Sequence, residues 1–336
     1  MLFYKIYRSV ESTHKGLGKY YLLALCSLLA GRGVILVGEQ GSGKSAIAVS
    51  LLNLLSSNKI YTGLVRDSIT LHGLLLDKKI QNIPDPLILV DDYSSSGTYY
   101  AKVQLWSALT QLSWYKTFSV SKKDLSTTVE FDKFNFIVCI QPSWLDSVLN
   151  LEEWTGLIHD KSVRIYIVNL VKKPTLHPPN VDYKIQLYDV EVPKTIKYSG
   201  YWKQSIMYLT HVYSLARATD LAQKLLKNIV CLYEANEIKT SHLKILLKFS
   251  KLIALESYLI EGESAKRFNQ RLFRLLNMFT KYKEFTTGDF SREFKINYYT
   301  ASEILNSKDC LLYIHKERGV FKPLPELLKI LNLVKW

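Results

Sequence analysis

The octapeptide Gly-Glu-Gln-Gly-Ser-Gly-Lys-Ser at positions 38–45 constrains this chain more than any other feature. It fits G-x-x-x-x-G-K-[ST], with an apolar strand-like run at 34–37 before it and an apolar helical stretch at 46–55 after it. A strand that turns into a helix through such a loop leaves the first backbone N–H groups of the helix unpaired and facing one spot, which suits phosphate oxygens. Gly38, Glu39, Gln40, Gly41, Ser42, Gly43, Lys44, Ser45 and Ala46 are therefore expected to hold ATP. Lys44 would reach the β- and γ-phosphates, and the Ser45 hydroxyl would ligate Mg²⁺.

A loop of this kind needs an acid at the end of a neighbouring buried strand. The run Leu-Ile-Leu-Val-Asp-Asp at 87–92 supplies one. Asp91 is the expected Mg²⁺-side carboxylate, and Asp92 is placed to orient or deprotonate water. Asp where a longer Glu would reach further points to slow hydrolysis. The next apolar strand, 134–140, ends in Gln141 and Pro142, and the Gln141 amide can hold the lytic water or the γ-phosphate. Lys161 and Arg164, just before and within the strand-like run 163–170, are candidate cations for completing a neighbouring subunit's site.

Short apolar strands alternate with helical stretches before residue 170, the α/β pattern with a parallel sheet. Four of the nine prolines (Pro174, Pro178, Pro179, Pro193) fall between 172 and 200, which reads as an extended connection. Residues 201–260 have helical apolar spacing, with breaks expected near Thr219 and Ile238. Residues 285–323 read as a winged helix. Thr287 caps a helix to Phe294, residues 298–306 form a second helix, and strands at 311–315 and 320–323 flank a basic turn.

Charge follows the same division. Residues 1–170 hold 17 basic and 14 acidic side chains, against 27 and 16 in 171–336. An excess concentrated in one half points to a polyanion, most simply nucleic acid, and we expect DNA. Tyr298 and Tyr299 are expected to face a groove, with Lys316, Arg318 and Lys322 on phosphates. The four cysteines have no metal-ligand spacing and read as reduced, buried thiols. No run is long enough to span a bilayer and no signal peptide is evident, so we expect a cytoplasmic protein with no membrane partner.

The order of phosphate loop, acidic strand end, polar strand end, basic residue before a strand and helical region resembles the AAA+ ATPases, and most closely the minichromosome maintenance (MCM) helicases. The likeness runs through most of residues 15–260, and the winged helix follows in the same place as in that family. It implies an AAA+ core at 1–171, a linker and α-helical lid at 172–264, and a winged-helix domain at 265–336. It also implies a homo-oligomeric ring or spiral, and a β-hairpin between the acidic strand and Gln141 whose tip lysine, Lys122 or Lys123, touches DNA.

The departures from that family matter too. About 37 residues precede the loop in this sequence, so no counterpart of the family's N-terminal domain is expected. The nucleotide-sensing Arg at the start of the last lid helix is replaced by Lys239-Thr240-Ser241-His242, where His242 or Lys239 is the candidate substitute, and Asp160-Lys161 stands where the family has Ser-Arg. The expected function is ATP-dependent remodelling of, or movement along, DNA. Two rivals fit the same motifs: an initiator-like switch on duplex DNA with slow turnover, resembling the DnaA and origin-recognition ATPases, and a MoxR-like protein-remodelling ATPase.

Overall fold

The computed structural model describes residues 1–66, 80, 82–91, 99–122, 125–150, 161–169, 177–262 and 266–336. Asp92, Lys123 and Asp160 lie outside the described residues, as do the expected boundaries at 171–172 and 264–265.

Helices α1 (Leu2–Thr13) and α2 (Gly18–Leu29) pack together ahead of strand β1 (Gly33–Val37). Glu11 fixes their corner, its two carboxylate oxygens accepting the backbone N–H groups of Gly16 and Gly18 at 2.8 Å each. Helix α2 is buried nearly all round, and each of its Leu side chains contributes roughly 1.5–3 kcal/mol by leaving water. Helix α3 (Lys44–Ser57) leaves the end of β1, and β2 (Thr62–Arg66), β3 (Pro86–Val90), α4 (Tyr99–Tyr115), β4 (Thr117–Lys122) and β5 (Leu125–Glu130) follow. Strand β6 (Asn135–Ile140), α5 (Pro142–Leu149) and β7 (Ser162–Tyr166) complete the core.

The central sheet is all parallel, in the order β2-β3-β6-β1-β7. Strands β1, β3, β6 and β7 are buried at every position, as expected of largely apolar strands with helices on both faces, and Asn135, Ser162 and Arg164 are the buried polar exceptions in β6 and β7. The chain leaves β1 toward one edge of the sheet and returns to its other side as β7. The crevice at the carboxyl ends of β1 and its neighbours is therefore the natural ligand position in an open α/β sheet.

Strands β4 and β5 form an antiparallel hairpin, with Lys122 opposite Leu125 as the last described pair before the turn. Residues 177–193 form neither helix nor strand. Three helices then stack: α6 (Gly200–Thr210), α7 (Leu215–Leu232) and α8 (Thr240–Ala254). The first break falls at 211–214, where Ser214 ends the turn, and not near Thr219, which is inside α7 with its hydroxyl donating to the Leu215 carbonyl.

A short helix α9 (Glu256–Leu259) and the two-residue strands β8 (Ile260–Glu261) and β9 (Arg267–Phe268) lead into α10 (Gln270–Lys281). Strand β10 (Phe285–Thr286), α11 (Thr287–Phe294), α12 (Tyr298–Leu305), α13 (Lys308–Leu311), β11 (Ile314–Glu317), β12 (Val320–Pro323) and α14 (Pro325–Val334) finish the chain. Strands β10, β12 and β11 form a small antiparallel sheet. The α11 cap is Thr286, one residue before the expected Thr287. Its hydroxyl accepts from the Asp289 N–H, and the Asp289 carboxylate reaches back to the Thr286 N–H. Strand β11 also starts three residues later than expected, because α13 takes up 308–311.

This C-terminal unit is held to the core at both of its ends. At its start the Asp146 carboxylate accepts the Phe268 N–H at 2.6 Å, and the Phe268 ring stacks on Tyr166 at 6.0 Å. At its end the Trp336 ring lies against Tyr7 and Phe249, and the Lys19 amine donates to the Val334 carbonyl. Burial holds that amine down to about 8 against the opposing pull of Glu11. No described helix is long and apolar enough to cross a membrane, and all four cysteines are buried thiols.

Candidate functional site

The loop between β1 and α3 is fixed by backbone geometry. Gly43 is the N-cap of α3 in the left-handed region (φ 90°), and a Cβ there would come within 2.4 Å of Leu17 Cδ1. Gly41 is also left-handed (φ 77°) and faces open space. A side chain is excluded at the first position by packing and disfavoured at the second by conformation, so the backbone is laid bare where a phosphate would approach. The Lys44 amine, 8% exposed, folds back to donate to the carbonyls of Gly38 at 2.6 Å and Glu39 at 3.0 Å. Ser45 is exposed at the first turn of α3.

Ser42 Oγ in the loop and Asp91 Oδ1 just past β3 are buried with no hydrogen-bond partner among the described residues. Orphaned buried acceptors are costly and point to an absent ligand or ion. With the exposed Ser45 hydroxyl they fit a hydrated Mg²⁺ that takes most of its ligands from water and phosphate. Among the described residues no three His, Cys, Asp or Glu side chains gather into a metal-binding group of their own.

Gln141 follows β6, the strand between β1 and β3, and is the N-cap of α5. It lines one cavity of about 530 Å³ with Glu39, Gln40, Gly41, Ser42 and Asn169. The opposite wall comes from the C-terminal unit: Gln270, Arg274 and residues 293–295. Arg274 Nε lies 3.4 Å from Glu39 Oε1, an ion pair 235 positions apart in sequence. Gln270, Arg274 and Lys295 carry no local signal. In an amphipathic helix such as α10 a lone cation reads as solvated surface. No protein-family model matches the chain, and no curated protein is significantly similar to it.

The two candidate trans-acting cations sit elsewhere. Arg164 is fully buried within β7 and pairs with Glu256 at 2.5 Å, the carboxylate side chain only 6% exposed. Burial works against its charge, but Glu256, Tyr213 and Tyr166 more than offset this and hold the guanidinium above its ordinary value. Arg164 is thus committed inside its own protomer, and the expectation that it serves a neighbour is corrected. Lys161 lies at the amino end of β7, the far end of the sheet from the phosphate loop. Its amine is 4.6 Å from the Tyr115 ring centroid and 5.8 Å from that of Trp114, and the Lys161 side chain is buried.

His242 is 1% exposed. Its Nδ1 accepts the Lys239 N–H at 3.1 Å as part of the α8 cap, and its ring meets Tyr233 edge-on. Its role is in the helix, away from the loop. In the C-terminal unit, Tyr298 and Tyr299 are 58% and 85% exposed at the start of α12. Lys316 and Arg318 are exposed, and Arg318 and Gly319 (φ 50° and 85°) make the two-residue turn between β11 and β12. Lys322 is paired with Glu317 at 2.6 Å, so a phosphate there would have to displace a carboxylate.

Proposed function

We propose that this chain is an ATP-hydrolysing AAA+ ATPase, resembling a shortened MCM protein, that acts on DNA through its β4–β5 hairpin and a winged helix at 285–323. The observation that carries the nucleotide reading is the meeting of three strand ends. The loop after β1, Gln141 after β6 and Asp91 after β3 follow the carboxyl ends of three neighbouring central strands of a parallel sheet, and the loop and Gln141 share one cavity. Lys44 would leave the Gly38 and Glu39 carbonyls for phosphate oxygens, and the N-terminus of α3 would cradle the same group. Ser45 and Asp91 would hold Mg²⁺, which when bound neutralises charge on the β- and γ-phosphates. Gln141 would position the attacking water.

One observation favours the switch reading over a fast motor. Arg164 is spent on Glu256, Lys161 is packed on aromatic rings, and His242 caps a helix. A trans-acting cation contributes about 10³–10⁵ in rate where one is present. Slow turnover that sets assembly on DNA is the consequence.

Steady-state ATP hydrolysis with no DNA, single-stranded DNA or duplex DNA tests these readings. The Lys44→Ala variant is expected to lose hydrolysis. Stimulation by single strands that disappears in the Lys122→Ala, Lys123→Ala double variant supports a motor gripping DNA at the hairpin. Slow hydrolysis indifferent to DNA, with duplex binding that survives the double change, leaves the switch. No DNA binding at all points to protein remodelling.

A further inference from the structure

The Glu39–Arg274 pair joins the phosphate loop to the first helix of the C-terminal unit, across the cavity that a nucleotide would enter. We propose that Arg274 is a triphosphate-binding residue of the nucleotide site, supplied by the C-terminal unit, and that Glu39 holds it until a terminal phosphate takes its place. This inference rests on the nucleotide-binding reading above.

Three features of the site lead to it. First, the pair is sheltered, with side-chain exposures of 20% for Arg274 and 19% for Glu39, and the guanidinium is backed by the Phe294 ring at 5.1 Å. The arginine is therefore positioned in the cavity wall and does not sweep through solvent. Second, an acid at the second position of a phosphate loop is electrostatically awkward, since the bound polyphosphate and the carboxylate repel each other. An arginine that pairs with Glu39 in the empty chain and lines the same cavity can offset that repulsion when polyphosphate enters. Third, the neighbouring acid does not compete for it: Glu293 is engaged by Lys281 and by the Tyr282 hydroxyl, the latter at 2.6 Å.

The exchange has a direction. A terminal phosphate carries more charge than one carboxylate and offers two oxygens to the planar guanidinium fork, so it outcompetes Glu39 for Arg274. A diphosphate lacks that group and would leave the pair in place. Because Arg274 is on α10, its transfer from the loop side chain to the nucleotide would report the γ-phosphate directly to the unit that carries Tyr298, Tyr299 and Arg318. The lid, whose helix start at 239–242 lacks an arginine, offers no such residue there.

The test is equilibrium binding of fluorescent ATP and ADP analogues, with Mg²⁺, to the full chain and to Arg274→Ala, Arg274→Lys, Glu39→Gln and Lys44→Ala. Arg274→Ala is expected to weaken ATP about tenfold and ADP by less than about twofold, since one charge-assisted contact to the terminal phosphate is lost. Arg274→Lys should restore part of that loss. Glu39→Gln, which removes the competitor, should tighten ATP about threefold. Equal losses for both nucleotides, no loss for either, or weaker ATP binding by Glu39→Gln would overturn the role given to Arg274. Lys44→Ala separates the two levels. If it abolishes binding of both nucleotides while Arg274→Ala spares both, only the Arg274 assignment fails. If the wild type binds neither, or Lys44→Ala changes nothing, the nucleotide reading fails and the assignment with it. Should Arg274→Ala not fold, the opposite shifts expected of Arg274→Lys and Glu39→Gln decide the matter.

Discussion

Arg164 and Glu256 are both in the interior, so removing one leaves the other charge uncompensated there. Arg164→Met is expected to lower the unfolding free energy by about 3–5 kcal/mol in urea titrations, and adding Glu256→Met should recover most of it. A surface cation waiting for a neighbouring subunit would show neither effect. Sequence alone misplaces Arg164 because its partner is 92 positions away, and nothing in Ser-Val-Arg-Ile-Tyr says which way the third side chain turns. The phosphate loop is the opposite case. Its residues are consecutive, so glycine placement and the flanking strand and helix are all legible in one window. Two histidines set a pH limit. Burial holds His14 and His242 below the ordinary value of 6.5, His242 with added pressure from Lys239. The unfolded chain then takes up protons first as pH falls below about 6.5, so stability is full above that value and declines below it. In thermal melts between pH 7.5 and 5, His242→Gln should show a shallower decline than the wild type.

At the scale of elements, β1, β3 and β6 were legible because a strand covered on both faces is a nearly unbroken apolar run, and β7 was legible from the apolar residues on either side of Arg164. Strand β2 was not: Thr62–Arg66 is an edge strand with Val65 46% exposed, so its apolar content is diluted. The hairpin ahead of β6 was expected from the resemblance alone, whereas the two helices at 287–305 were read from the residues and stand within a residue of the expected bounds. The break placed at Thr219 failed because a lone Thr in a helix satisfies its hydroxyl on the preceding turn and need not end it. The position of α12 makes a separate prediction. Tyr299 is 85% exposed, so Tyr299→Ala should leave the melting temperature unchanged. If this helix contacts DNA, the change should weaken binding by about 1–3 kcal/mol, measured by fluorescence anisotropy, the magnitude of losing one aromatic–base contact.

Across the whole molecule most of the basic excess, with the exposed Tyr298 and Tyr299, lies in the second half, while the glycine-rich loop at 38–45 lies in the first, and the sequence does not say how the two halves meet. That information sits in pairs such as Glu39 with Arg274 and Tyr7 with Trp336, each formed by residues too distant for any local pattern. Trp336 is in contact with α1 and α8 at once. Trp336→Ala is expected to cost about 2 kcal/mol in urea unfolding through lost apolar burial, and to raise the susceptibility of the 266–336 segment to limited proteolysis.

The attachment of that segment at two points, Phe268 on Tyr166 and Trp336 on Tyr7, has a mechanical meaning. A domain tethered by one linker swings freely like a flail, and what happens at its root is lost in the swing. One held at both ends, with the Glu39–Arg274 pair between them, has fewer ways to move, so a displacement at Arg274 would be carried toward the helix that bears Tyr299 and not absorbed by a loose linker.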